Sequence, residues 1–207
     1  MMWLSNPQYT KVDNKMYKIN TDFRVALECE EIARDKNIGD FERALAIIYK
    51  LFGIEGLECN DLDKLINAGI KYISLGKEKN SSKTNLEGGF ELDINKCKKL
   101  IASSFKFDYN YDPYTLEYLH WYDFYNDLEN LSTSEFGNCC ALNRIISILN
   151  QDGKDIKDSK VKKKLIDTQK ELREKYCIKQ EREMTKEQEE SAKEFYRCMN
   201  INIERKW

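Results

Sequence analysis

The sequence predicts a mainly α fold, a multi-helix orthogonal bundle with a small N-terminal β-hairpin. Three observations support this prediction. The 207 residues include only 2 Pro and 9 Gly, so few residues interrupt helices. Apolar residues recur at helical spacing in many segments, and 41% of the chain is hydrophobic, which is sufficient for a core. Only one region, close to the N-terminus, has the composition of strands.

The predicted hairpin joins residues 8–12 to residues 16–20. Both segments contain Tyr, Thr, Val or Ile, which favour strands, and Asp13-Asn14-Lys15 between them favours a turn. Two strands alone are marginally stable in water, so we expect the hairpin to pack on other elements.

Three helices are predicted after the hairpin, each with an apolar stripe behind a residue that can cap a helix. Their expected ranges are 21–35, capped by Thr21 or Asp22; 40–53, capped by Asp40 and stopped by Gly53; and 61–76, capped by Asp61 and stopped by Gly76.

The second half of the chain is also predicted to be helical. The first expected helix begins at Asp93 and has Ile94, Cys97, Ile101 and Phe105 on its inner face. After a break at Asp112-Pro113, the second runs from Thr115 to Asn130. Three more helices are expected: one from Ser134 that ends at 151–153, one from Ser159 to Tyr176, and one that begins at Thr185.

Residues 76–90 are polar and small, which is typical of a linker or an exposed loop. The predicted organisation is a hairpin with helices (1–75), a flexible linker or loop (76–92), a helical second half packed on the first as one domain (93–180), and an amphipathic C-terminal helix (181–207).

Two aromatic sets are candidate partner-binding residues. The first is a stripe on the predicted helix 115–130, and the second is the apolar strip of the C-terminal helix. Tyr and Trp bury large areas and carry a polar group, so the stripe could form a binding hot spot, although core packing is the default interpretation. The residues are Tyr118, Trp121, Tyr122 and Tyr125 in the first set, and Phe195, Tyr196 and Met199 in the second.

No catalytic, cofactor or metal site is predicted. His120, the single histidine, could act as a general base oriented by Asp123, but the sequence supplies no nucleophile or second carboxylate to work with it. The side chains of Cys139 and Cys140 diverge on a helix, and Gly88-Gly89 lacks the context of a phosphate-binding loop.

Charge and hydropathy limit the classes of partner. No apolar run approaches the ~20 residues that span a bilayer, and the N-terminus does not have the pattern of a signal peptide, so we expect no membrane association. The net charge of −2 does not favour a nucleic-acid partner, and the lysines near 160–164 are followed by acidic residues. Residues 154–207 are net basic and could dock on a second copy or on an acidic partner, although a solvated helical face is the default interpretation. The seven cysteines are scattered, as is typical of reduced cytosolic thiols.

Several stretches resemble the bacteriophage Gp-fifteen family of tail-region proteins, commonly described as tail assembly chaperones. They are residues 17–28, residues 41–53, residues 90–93 after the polar linker, Arg144-Ile145-Ile146, the lysine-rich helix near 157–176, and Glu117-Tyr118-Leu119-His120-Trp121-Tyr122-Asp123-Phe124. The last is similar to the signature Tyr-Leu-His-Trp-Trp-x-Phe, with Tyr122 in place of the second Trp.

The resemblance implies a protein that coats the tape measure protein, recruits tail-tube subunits and leaves before the tail is complete. We therefore expect it in the cytoplasm of the bacterial host and not in the mature virion. Three alternatives stay open: a structural tail component retained in the particle, a nucleic-acid-binding regulator that uses the lysine-rich helix, and an enzyme that uses His120.

Overall fold

The computed structural model describes residues 6–76, 85–86, 90–132 and 139–179. Within these ranges the chain is mainly α-helical, as predicted. The helices are α1 (Phe23–Arg34), α2 (Asp40–Leu57), α3 (Leu62–Ile73), α4 (Lys98–Tyr109), α5 (Trp121–Glu129), α6 (Ala141–Asn150) and α7 (Ser159–Tyr176). The strands are β1 (Tyr9–Val12), β2 (Lys15–Lys18), β3 (Asn85–Leu86), β4 (Phe90–Leu92) and β5 (Cys177–Lys179).

The N-terminal hairpin is confirmed. Strands β1 and β2 pair antiparallel, with Val12 opposite Lys15, and Asp13 and Asn14 form the turn with φ of 45° and 69°. Asp and Asn tolerate this left-handed conformation better than most residues, which explains why the chain reverses here. The hairpin packs against α2 and α3, and Val12 and Tyr17 are buried there.

Side-chain caps define several of the predicted helix starts. Asp22 accepts a hydrogen bond from the Arg24 N–H at 2.9 Å, and Asp61 accepts one from the Lys64 N–H at 3.0 Å. The predicted cap of α2 is wrong by one residue: Gly39 is the cap, and Glu42 bonds back to its N–H at 3.0 Å. Asp40 is the first residue of that helix, where a carboxylate is favoured by the helix dipole.

The expected helix start at Asp93 is also wrong. The Asp93 carboxylate accepts from the N–H groups of Asn95 and Lys96, which closes a turn, and α4 begins only at Lys98. The apolar stripe predicted for this segment nevertheless faces inward, since its four residues are buried: Ile94, Cys97, Ile101 and Phe105.

A second sheet lies where the sequence pattern predicts only linker and helix. Strand β4 pairs antiparallel with β3 on one side and β5 on the other, and Leu92 lies opposite Cys177. The Asp93 N–H continues the pairing with a 2.9 Å bond to the Tyr176 carbonyl oxygen. These strands have two or three residues each, too few to produce a visible alternation, and pairing between distant segments holds them.

A hydrophobic cluster joins the two halves of the chain. The Phe23 ring of α1 stacks on Phe124 of α5 at 4.3 Å between centroids, and Phe124 stacks on Phe105 of α4 at 5.5 Å. Ser104, also buried, connects α4 to α6 by accepting from the Leu142 N–H at 3.0 Å. No helix of the described ranges is long and apolar enough to cross a bilayer.

Candidate protein-binding groove

A break in α2 creates the candidate site. Gly53 has φ 67° and ψ −157°, a conformation that glycine adopts far more readily than any other residue. The helical hydrogen-bond pattern is interrupted there, and the Leu51 carbonyl oxygen instead accepts from the Asn20 N–H at 2.7 Å. The predicted stop at Gly53 is therefore a kink, and the helix resumes as far as Leu57.

An open groove of about 980 Å³ lies against this kink. We call it the kink groove. It runs between the end of β2, the outer side of α1 and the kinked part of α2. Its apolar lining residues are Ile19, Val25, Tyr49, Leu51, Phe52, Ile54 and Tyr118.

Three of these apolar side chains are exposed at the rim. Tyr49 is 52%, Ile54 67% and Tyr118 52% accessible, whereas Leu51 and Phe52 below them are buried. The Tyr118 hydroxyl is hydrogen-bonded to Thr21 Oγ1 at 2.6 Å, which fixes the ring at the edge of the groove. Exposed aliphatic and aromatic groups around a concavity are typical of a protein-binding surface.

The charges of the groove have both signs. Lys50 and Glu28 form an ion pair at 2.6 Å, and this hydrogen bond raises the pKa of Lys50. Lys18 and Glu55 also line the groove. Because the signs are mixed, the groove does not select a polyanion and suits a peptide surface that itself carries both charges.

The structure separates the predicted aromatic stripe. The helix starts at Trp121, and residues 116–120 precede it in a non-helical conformation. The reason is a bridge to the start of α1: the Phe23 N–H donates to the Leu119 carbonyl oxygen at 3.0 Å, and the Trp121 N–H donates to that of Thr21 at 2.8 Å. The predicted start at Thr115 is therefore wrong.

The four aromatic residues have different positions as a result. Trp121 and Tyr125 are core residues, and Trp121 is 1% accessible. Tyr118 lies on the kink groove. Tyr122 lies half-buried beside a second groove of about 360 Å³, tilted over Tyr72 at 5.4 Å. The other predicted residues, Phe195, Tyr196 and Met199, lie outside the described ranges.

His120 is the N-cap of α5. Its Nδ1 accepts from the Tyr122 N–H at 3.1 Å, so Nε2 carries the proton and lies 3.4 Å from the Pro7 carbonyl oxygen. Asp123 is hydrogen-bonded to the Asn6 side chain at 2.7 Å. In the described residues both imidazole nitrogens thus contact main-chain groups, and the predicted His120–Asp123 contact is replaced by other bonds.

The remaining candidates from the sequence are dispersed. Lys160, Lys162, Lys163 and Lys164 are exposed on α7. Cys140 is buried and Cys139 is partly buried. The predicted helix from Ser134 through these cysteines is wrong, because Cys140 is the extended N-cap of α6, which begins at Ala141. Gly88-Gly89 lies outside the described ranges. Among the described residues, no three or more His, Cys, Asp or Glu side chains are grouped as metal ligands.

The kink groove was not predicted, but three sequence stretches identified above meet there. Residues 17–28 supply the end of β2 and the α1 wall, residues 41–53 supply α2 up to the kink, and residues 117–124 supply Tyr118. The signal in the sequence was Gly53, whose left-handed conformation bends the helix.

These features describe a mainly helical protein with an aromatic-rimmed groove suited to binding another polypeptide. The family model described as Bacteriophage Gp15 protein matches residues 6–176, and the chain belongs to that family. It is thus a phage protein. No curated protein and no solved structure matches the chain.

Proposed function

We propose that this protein is a phage or prophage tail assembly chaperone that binds the tape measure protein through the kink groove and recruits tail-tube subunits. Two observations together support the proposal. The chain belongs to the Gp15 family, and the stretches by which it resembles tail-region proteins meet at a groove with exposed apolar residues.

The chemistry of the groove supports a helical partner. A long amphipathic helix presents apolar residues at steps of three and four, and it aggregates when they are left uncovered. Tyr49, Ile54 and Tyr118 offer apolar contacts to such residues, and Lys18 and Glu55 offer polar contacts of either sign to their neighbours.

Reversible binding also agrees with this site. The groove is open to solvent, so one copy makes a modest contact that tube subunits can displace. A tape measure with many similar sites would hold many copies, and the effective concentration along it would compensate for weak single contacts. The protein would act in the host cytoplasm and be absent from the mature virion.

The test is co-expression with the tape measure protein of the same phage or prophage. The chaperone proposal predicts that the partner becomes more soluble and co-purifies with this chain, and that Ile54→Glu or Tyr49→Glu reduces co-purification at least several-fold. Phe107→Glu is the matched control, because Phe107 is 63% accessible on α4, away from the groove. Equal loss in all three variants, or no gain in solubility, would refute the proposal.

The alternative of a retained tail component uses the same groove and differs in location. Mass spectrometry of purified particles distinguishes the two, since a chaperone is absent from them and a structural component is present in stoichiometric amounts.

A nucleic-acid-binding regulator is the second candidate, favoured by the exposed lysines of α7. It predicts DNA retention that falls steeply with salt and is weakened by Lys162→Glu together with Lys163→Glu. Unchanged retention in this variant would exclude the lysine-rich helix as a DNA-binding surface.

A further inference from the structure

The kink groove has an apolar rim with no described side chain covering it. Tyr49 and Ile54 are exposed on one side and Tyr118 on the other, above the buried Leu51 and Phe52. Such a concavity is complementary to a narrow apolar strip with polar residues along both sides.

The chain leaves the described core at Lys179, and a series of contacts connects this residue to the groove wall. Lys179, at the end of β5, is paired with Phe90 of β4. The next β4 residue, Glu91, forms an ion pair with Arg34, the last residue of α1, at 3.8 Å. Val25, on the groove wall, is nine residues earlier in that helix, which corresponds to ~14 Å along its axis.

The sequence after Lys179 contains a strip of the required form. Apolar residues occur at steps of three, four, seven and eleven: Ala192, Phe195, Tyr196, Met199 and Ile203. This spacing predicts one apolar helix face. Lys193 and Arg197 beside it, with Glu189 and Glu190 one turn earlier, provide both signs of charge, as do Lys18, Glu28, Lys50 and Glu55 in the groove.

The reach is sufficient. About a dozen residues separate Lys179 from Ala192. With the predicted helix beginning at Thr185, the extended residues before it and the helical residues up to Ala192 together span ~30 Å. This span exceeds the separation between Lys179 and the groove wall, which consists of the ~14 Å along α1, one strand pairing and the Glu91–Arg34 ion pair. A segment tethered at this distance has an effective concentration near the groove of the order of millimolar, far above that of a free partner.

We propose that the apolar strip of residues 192–203 docks in the kink groove of its own chain. The docked strip covers Tyr49, Ile54 and Tyr118 while no partner is present. A partner helix must then displace the strip, a consequence that rests on the proposed function, whereas the docking itself does not.

A native thiol provides the test. Cys198 lies next to Met199, at the edge of the strip, so a sulfur introduced at the groove rim should lie close to it. In the full-length chain, Ile54→Cys is oxidised with diamide, which takes up the two hydrogens that the two thiols release. The matched control is Phe107→Cys, at a similarly exposed position outside the groove.

The expected result is a disulfide within one chain between the introduced sulfur and Cys198, identified by peptide mass spectrometry. It should form at least ten-fold faster in Ile54→Cys than in Phe107→Cys, at a rate independent of protein concentration. Equal rates in the two variants would overturn the proposal. Disulfides only between chains, forming faster at higher concentration, would instead identify a second copy as the occupant and would also overturn it.

Hydrogen exchange of the full-length protein gives a second readout. Replacing both tail aromatics, Phe195→Asp with Tyr196→Asp, should speed amide exchange in residues 49–56 several-fold, because the groove loses its cover. Unchanged exchange would contradict docking. Neither experiment needs the tape measure protein, so failure here leaves the chaperone proposal standing, and failure of co-purification leaves the docking result standing.

Discussion

The indole Nε1 of Trp121 donates a hydrogen bond to the carbonyl oxygen of Ile73 at 3.0 Å. This bond joins the first turn of α5 to the last residue of α3, so it connects the second half of the chain to the first. Trp121 also stacks on Phe124 at 6.0 Å between centroids, next to the Phe23 and Phe105 rings.

We expect Trp121→Phe to lower the free energy of unfolding by at least about 1 kcal/mol, because the Ile73 carbonyl loses its partner. The smaller ring also leaves a cavity, which adds to the loss. Urea denaturation measures the change. Tyr118→Phe is the control, since it removes a hydrogen bond at an exposed position and should cost less. Equal costs would mean that the indole bond contributes little to the junction.

Replacing Gly53 of α2 is expected to lower the stability of the fold through backbone strain alone. A Cβ placed at Gly53 would meet nothing within 4 Å, so Gly53→Ala introduces no clash. It still forces alanine to φ 67° and ψ −157°, which costs of order 1–3 kcal/mol. We predict a loss of stability of that size by urea denaturation.

The control for this prediction is Gly39→Ala. Gly39 has φ −67°, and its Cβ would lie 3.6 Å from Glu42 Oε2, an ordinary contact. A smaller loss of stability is expected there. If Gly53→Ala is neutral, the kink does not depend on a glycine conformation, and our explanation of the groove is wrong.

A helix or strand could be predicted from the sequence when the interactions that fix its ends are between residues close together in the chain. Helices α1 and α3 are confirmed with their caps Asp22 and Asp61, since the capping side chain is two or three residues from the N–H it accepts. Helix α7 is confirmed at the predicted 159–176. The capping residue and the spacing of apolar residues within each segment are sufficient to predict these helices.

Elements set by distant contacts were missed. The start of α5 moves from Thr115 to Trp121 because main-chain groups of Thr21 and Phe23, about a hundred residues away, bond to residues 119 and 121. The kink groove was missed for the same reason, since it combines Gly53, a single residue read as a stop, with walls from α1 and Tyr118. No periodicity in one segment predicts a surface built from three.

Burial should protect most thiols of the described ranges from alkylation. It raises the pKa of Cys29 to about 12 and that of Cys97 to about 12, so neither is ionised near neutral pH. Iodoacetamide at pH 8 should leave both unmodified in the folded protein and should label both in urea. Partly buried Cys59 and Cys139 are internal comparisons and should be labelled faster. Rapid labelling of Cys29 in the native state would show that the packing between α1 and α2 opens readily.

Glu30 provides a pH-dependent prediction. Partial burial, with 27% of the side chain accessible, raises the pKa of its carboxyl group. The negative charges of Glu91 and Asp93 raise this pKa further, against the lowering effect of Arg34. A carboxyl whose pKa is higher in the folded state favours folding below its unfolded pKa, and that contribution is lost as the pH rises through the folded pKa.

The charged Glu30 therefore opposes folding at pH 7, and Glu30→Gln should raise the urea midpoint there. The difference should shrink as the pH approaches 4, close to the unfolded pKa, because Glu30 itself becomes protonated. Glu31→Gln, at the exposed neighbouring position on α1, should give no such pH-dependent difference. A lower midpoint for Glu30→Gln at pH 7 would mean that the ion pair with Arg34, at 3.4 Å, outweighs the cost of burying the charge.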